Sequence, residues 1–250
     1  MGKRKDKKAA AQLYARIKES VGQASSEKPP LGGAEPEEMG HAAAVWPEAL
    51  LAGSKELAGL TATASGQRPE LVKMKKFRFQ LLHQWIQTHV EPGRVADVGG
   101  GKGLLAYLLQ ESGWTATVVD PVYQALPEKY KDLRSNRQVH LKADQSVPHR
   151  NQEFVAAMAQ EFDLLVALHA HGCNVQLLDA AATSACAVIL LPCCLIQEPL
   201  IPPPGVLWIQ AVVDYATHKG LHVQPFRLNF KGQNIGIYAR RPQELPTMDV

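Results

Sequence analysis

From about residue 93 onward, apolar residues fall into short blocks whose period switches between two and three to four. "RVADVG" reads as a strand and "GLLAYLLQESG" as a helix closed by Gly113. "TATVVD" reads as a strand, and "QALPEKYKDLRS" as a helix or an irregular crossover. "QVHLKAD" is a short strand, "NQEFVAAMAQE" a helix, "FDLLVALHA" a strong strand and "VQLLDAAATSA" a helix. "CAVILLPCC" follows as a buried strand and "VLWIQAVVDYATHKG" as a helix. "LHVQPFRLNF" and "NIGIYARR", joined by "KGQ", form a terminal hairpin. Strands that alternate with helices predict an α/β fold with a mostly parallel sheet and helices on both faces.

The first 92 residues follow a different pattern. Leu13, Ile17 and Val21 recur every four positions within a basic segment, the spacing of a short amphipathic helix in an otherwise solvated tail. Residues 22–40 shift to Pro, Gly, Ser and Glu, the composition of a linker. A helix is expected over 46–59 and a better one over 69–90, where Leu71, Met74, Phe77, Leu81, Trp85 and Ile86 lie near one face. The expected organisation is a basic tail and linker at 1–45, a helical extension at 46–92, the α/β domain at 93–242 and a tail at 243–250.

Composition narrows the classes. The sequence holds no apolar run of about 18 residues, so no membrane span is expected. The charged start has no apolar stretch behind it, unlike a secretory signal, and Asp6 stands where a myristoylation motif wants Ser or Thr. The cysteines, Cys173, Cys186, Cys193 and Cys194, cluster in the second half, which does not suggest a secreted disulfide framework. A cytoplasmic or nuclear protein is expected. The formal net charge of +3 decides little about nucleic acid.

"DVGGGKG" carries the candidate chemistry. It stands at a strand end before a helix, where parallel α/β sheets bind ligands. The phosphate-loop pattern fails, because Gly103 follows Lys102 and Ala96 stands where the first glycine is needed. The dinucleotide pattern fails at Leu104. Asp97-x-Gly99-x-Gly101-x-Gly103 instead resembles the first motif of the class I S-adenosylmethionine-dependent methyltransferases. The resemblance implies a Rossmann-like, seven-stranded, mostly parallel sheet ending in an antiparallel hairpin. It also implies S-adenosylmethionine as cofactor, its methionine part packed against the glycine loop. Asp120, ending the second strand, would hold the ribose hydroxyls, since a carboxylate accepts two hydrogen bonds at once. Asp144 after the third strand, with Gln145 beside it, would meet the adenine.

A narrower resemblance covers roughly residues 73–194. "LHAHG" (Leu168 to Gly172) and "LPCC" (Leu191 to Cys194) resemble a subgroup of these enzymes. The subgroup includes a tRNA ribose 2′-O-methyltransferase family and the methyltransferase half of glutathione S-transferase C-terminal-domain-containing proteins. The sequence departs from that pattern. His171 stands where cysteine is usual, Cys173 and Asn174 replace an acid after Gly172, and the zinc-finger segments of the tRNA-modifying family are missing. That family's specific substrate is therefore not carried over.

In this fold the end of the fourth strand faces the transferred methyl group. His169 and His171 stand there as a general base or as substrate ligands, or one of them only fixes the loop. Cys193 and Cys194 are candidate nucleophiles or small buried residues. A zinc site from His169, His171, Cys173 and Cys193 or Cys194 matches no standard ligand spacing, so no metal is expected. The aromatic Pro-Pro signature of amino-group methyltransferases is absent after the fourth strand, which disfavours amine and amide acceptors. RNA is the preferred acceptor, through Lys73, Lys75, Lys76, Arg78 and the basic tail. Those lysines also suit an ordinary solvated helix face. A catalytically inactive scaffold with a protein partner at the N-terminal helix, or a protein or small-molecule methyltransferase, are the alternatives.

Overall fold

The computed structural model describes residues 73–242. The expected tail and linker (1–45), the 46–59 helix, the first residues of the 69–90 helix and the 243–250 tail lie outside the described residues. The strands are β1 (Arg94–Val98), β2 (Thr115–Val119), β3 (Lys129–Lys131), β4 (Gln138–His140), β5 (His149–Arg150), β6 (Leu164–Leu168), β7 (Ala187–Leu191), β8 (His222–Arg227) and β9 (Ile235–Arg240). The helices are α1 (Arg78–His89), α2 (Leu104–Gln110), α3 (Asn174–Thr183) and α4 (Trp208–His218).

The main sheet has seven strands in the order β5-β2-β1-β6-β7-β9-β8. The five from β5 to β7 run parallel, and β9 turns antiparallel against β7 and pairs with β8. The mixed α/β fold with its closing hairpin is therefore as the sequence pattern predicts.

β6 shows why the sheet is covered on both sides. All five of its residues are buried. Leu164, Val166 and Leu168 join the core formed with α1 and α2, whereas Leu165 and Ala167 join the opposite core formed with α3 and α4. Alternate residues serve alternate faces, so a doubly covered strand reads as a continuous apolar run. α1 is not a separate appendage. Its Leu82 and Ile86 are fully buried beside Leu105 and Leu109 of α2, and Trp85 stacks on Phe226 of β8 at 4.0 Å.

Three expectations are corrected. "QVHLKAD" does not enter the main sheet. Its β4 pairs with β3 in a separate antiparallel hairpin, and the third parallel position is taken by the two-residue β5. The expected "NQEFVAAMAQE" helix is only a 3-10 segment, Ala156–Glu161. The basic stretch is not a helix face. The chain at Lys73 bridges to Phe230, Lys75–Phe77 forms a 3-10 turn, and only Arg78 begins α1. Met74 accordingly points to solvent at 56% exposure instead of into the core.

Candidate functional site

β1 carries Asp97 to the carboxyl end of the sheet. Val95 and Asp97 share a face, and Val95 is buried with α1 and α2, so the Asp97 carboxylate is drawn into the same layer. Asp97 is 2% exposed, and its Oδ2 has no hydrogen-bond partner among the described residues. Burial pushes its pKa up to about 7. The backbone amide of Ala106 opposes that shift, and the nearby Asp120 charge adds to it. A buried carboxylate with a free oxygen is costly unless something cationic or hydrogen-donating meets it.

The loop after β1 is built around glycines. Gly99, Gly101 and Gly103 all have positive φ, at 64°, 55° and 71°. At Gly99 a Cβ would also stand 2.7 Å from the Ala170 Cβ. Gly100 is needed for a different reason, because a Cβ there would reach within 2.5 Å of Asp97 Oδ2. The sequence pattern marks the three alternate glycines and says nothing of Gly100.

Asp120, just past β2, fastens this loop. One carboxylate oxygen accepts the Gly101 N–H at 3.0 Å, and the other accepts the Val122 N–H at 2.9 Å. Each oxygen keeps a second lone pair for a further donor such as a hydroxyl.

Two clefts open on either side of the strand ends and share Gly99 and His169. The first, about 540 Å³, has Asp97 and the glycine loop at its floor, and Lys76, Arg78, Lys102, Lys129 and Lys131 among its walls. The second, about 550 Å³, is lined by Asp120, Glu153, His171, Cys173 and Gln197 among others. The structure does not bring Asp144 and Gln145 to either one. They line a separate cleft with Tyr123 and His149. Asp144 is exposed in a turn. The Gln145 side-chain amide donates to Tyr107 Oη at 3.1 Å, and its oxygen accepts the Lys142 N–H at 2.9 Å. The physical cause is the diversion of β4 out of the main sheet. Glu153, which follows β5 and shares the cleft with Asp120, escapes a sequence reading because a two-residue strand has no alternation to read.

His169 follows β6 in the left-handed region, at φ 60°, a conformation rare for a non-glycine residue outside constrained sites. Its Nε2 lies 2.8 Å from the Gln233 carbonyl. A carbonyl only accepts, so Nε2 carries the proton and Nδ1 is left with a lone pair. Burial, with the charges of Lys75 and Arg78, holds the imidazole pKa below its usual value despite that hydrogen bond, so the ring is neutral at neutral pH.

Leu168 and Leu191 are register partners at the ends of β6 and β7, so the following loops leave side by side. One ligand atom each from His171, Cys193 and Cys194 fall within 4.8 Å of one another. The Cys193 and Cys194 Sγ atoms are 3.6 Å apart, as free thiols. Burial and the neighbouring thiol push Cys193 up to about 11, so it is protonated at neutral pH and not a nucleophile as it stands. Cys173, on the same loop as His171, is pushed by burial up to about 12. Glu198, from the loop after β7, accepts the Asn174 N–H at 3.0 Å and the Val175 N–H at 3.2 Å. This carboxylate at the start of α3 ties the two loops together. Nothing in the local sequence marks Glu198, because its partners are 24 and 23 residues away.

Residues 71–184 match the family model of a methyltransferase domain. No curated protein matches the chain. Among solved structures, the chain is similar to a ribosomal protein methylase from Lactobacillus delbrueckii subsp. bulgaricus. The identity is 19%, over 66% of this chain and 77% of that one, with a TM-score of 0.43. It is also similar to magnesium protoporphyrin IX methyltransferase from Synechocystis PCC 6803 with bound S-adenosylmethionine, at 12% identity, 76% and 92% coverage and a TM-score of 0.44. A glycopeptide N-methyltransferase complexed with S-adenosyl-L-homocysteine matches at 12% identity, 74% and 98% coverage and a TM-score of 0.42. The domain match spans α1 to α3, with the glycine loop, Asp97, Asp120 and His169 inside it.

Proposed function

We propose that the chain is an S-adenosylmethionine-dependent methyltransferase whose acceptor is RNA. The observation that carries the cofactor half is Asp97. A carboxylate buried beneath the glycine loop, with one oxygen unpartnered, suits the ammonium group of a bound amino acid moiety. Asp120, with two lone pairs to spare at the end of β2, suits a ribose diol. Gly99 lines both clefts, beside Asp97 in one and Asp120 in the other, and Gly100 and Gly101 line the first. S-adenosylmethionine, when bound, supplies an electrophilic methyl group.

The protein's own part is to align the acceptor and to take its proton. His169 lines both clefts and keeps Nδ1 free, so it is the base of this proposal. Neutral imidazole takes a proton from a hydroxyl as that oxygen is methylated, and the Gln233 carbonyl holds the ring in the required tautomer.

The acceptor half rests on charge. Lys76, Arg78, Lys102, Lys129 and Lys131 ring a cleft whose only acid among the lining residues is Asp97. Such a rim attracts a phosphate backbone without reading its sequence. Two of the five, Lys129 and Lys131, sit on the small β3–β4 hairpin.

The test is incubation of the full chain with methyl-labelled S-adenosylmethionine and total cellular RNA. Label that ribonuclease releases from the acid-insoluble fraction, and that a His169→Ala variant fails to incorporate, supports the reading. Label that survives ribonuclease points to a protein acceptor and overturns the RNA half.

A further inference from the structure

We infer that His171, Cys193 and Cys194 form a zinc site at the edge of the cleft that holds Asp120. The expectation of no metal rests on linear spacing, and spacing along the chain is not what assembles these residues. Leu168 pairs in register with Leu191, and His171 and Cys194 each lie three residues beyond their strand's last residue. The two loops therefore run together, and Glu198 clamps one to the other through the first amides of α3.

The geometry suits a tetrahedral metal. Two sulfurs on one zinc, each at about 2.3 Å, stand about 3.8 Å apart in a tetrahedron. The Cys193 and Cys194 Sγ atoms are 3.6 Å apart, far beyond the roughly 2 Å of a disulfide. The imidazole atom must approach to about 3.5 Å of each sulfur. It already lies within 4.8 Å, on an exposed side chain free to rotate. Two thiolates balance the charge of Zn²⁺, and a His-Cys-Cys donor set favours zinc over the hard cations. On binding, two S–H bonds are lost, two Zn–S bonds form and two protons leave to solvent; no electrons are exchanged.

Three protein ligands leave a fourth position open. A water or an acceptor heteroatom would occupy it. His171 lines the same cleft as Asp120, Gly99 and His169, so the site stands at that cleft's edge. The site does not depend on the methyltransferase reading, and its test contains no methyl transfer.

The full chain, kept reduced and stripped with chelator, is titrated with Co²⁺ and then with Zn²⁺. One Co²⁺ per chain is expected, with a thiolate-to-cobalt charge-transfer band that one Zn²⁺ abolishes. Cys193→Ser and Cys194→Ser should each remove about half of that band. His171→Ala should weaken zinc binding at least about tenfold, since even second-sphere partners are worth that much. Cys173→Ser should change nothing. No charge-transfer band, or a band lost only with Cys173, overturns the assignment. If the serine variants do not fold, the exposed His171 decides: zinc affinity unchanged in His171→Ala overturns it equally.

Discussion

Asp97 makes stability and ligand binding move in opposite directions, and Asp97→Asn separates them. The carboxyl is 2% exposed, lacks a partner on Oδ2 among the described residues and has a pKa pushed up to about 7 from an ordinary 3.8. Because the folded-state pKa is raised, the folded protein holds a proton between about pH 4 and pH 7 that the unfolded chain has lost. Stability therefore falls as pH rises through that window and levels off above it. With about 1.4 kcal/mol per pKa unit, the ionisation penalty is about 4 kcal/mol at pH 8 and about 2 kcal/mol at pH 5. The amide introduced by the substitution copies the neutral carboxyl and never ionises. The variant should gain on wild type by about 2–3 kcal/mol between pH 5 and pH 8. Urea denaturation of both proteins at the two pH values measures the difference. In the proposed cofactor site the same variant lacks the anion that would meet the ammonium group, so S-adenosylmethionine affinity should fall at pH 8. A stability difference that stays constant from pH 5 to pH 8 would refute the claim that this carboxyl is buried and unpaired.

Gly99→Ala combines a positive φ with a methyl 2.7 Å from Ala170 Cβ, and should cost about 1–3 kcal/mol in thermal or urea melts while abolishing cofactor binding. Glu198→Gln keeps the shape of the clamp but loses its charge at the start of α3, and should cost about 1 kcal/mol in a urea melt. Replacing Lys76, Lys129 and Lys131 together by Ala should lower the salt slope of RNA binding by about 2, at about 0.7 per single-strand phosphate contact, with cofactor affinity unchanged. Filter binding across a salt series reads the slope.

The legible parts of the fold are those whose signal is local. β1, β2, β6 and β7 are apolar runs bounded by turn residues, and the glycine loop with Asp97 and Asp120 carries its own motif. The segment from Pro121 to Pro148 resists reading because its two three-residue strands pair with each other, and three residues do not establish a period. That gap places Asp144 and Gln145 in a separate cleft and hides Lys129 and Lys131 beside Asp97. Glu198 is invisible because its role depends on a contact between loops that only sheet register creates. The His171, Cys193 and Cys194 cluster is half-visible: two strand ends are readable, but their adjacency in the sheet is not.

The most direct test of the central claim is calorimetric titration of the full chain with S-adenosylmethionine, beside an Asp97→Ala, Asp120→Ala variant. The account predicts saturable binding in the micromolar range for the native chain and none for the variant, with the variant still folded by circular dichroism. No heat at millimolar ligand, or equal binding by both proteins, would contradict the assignment of the glycine loop as the cofactor site.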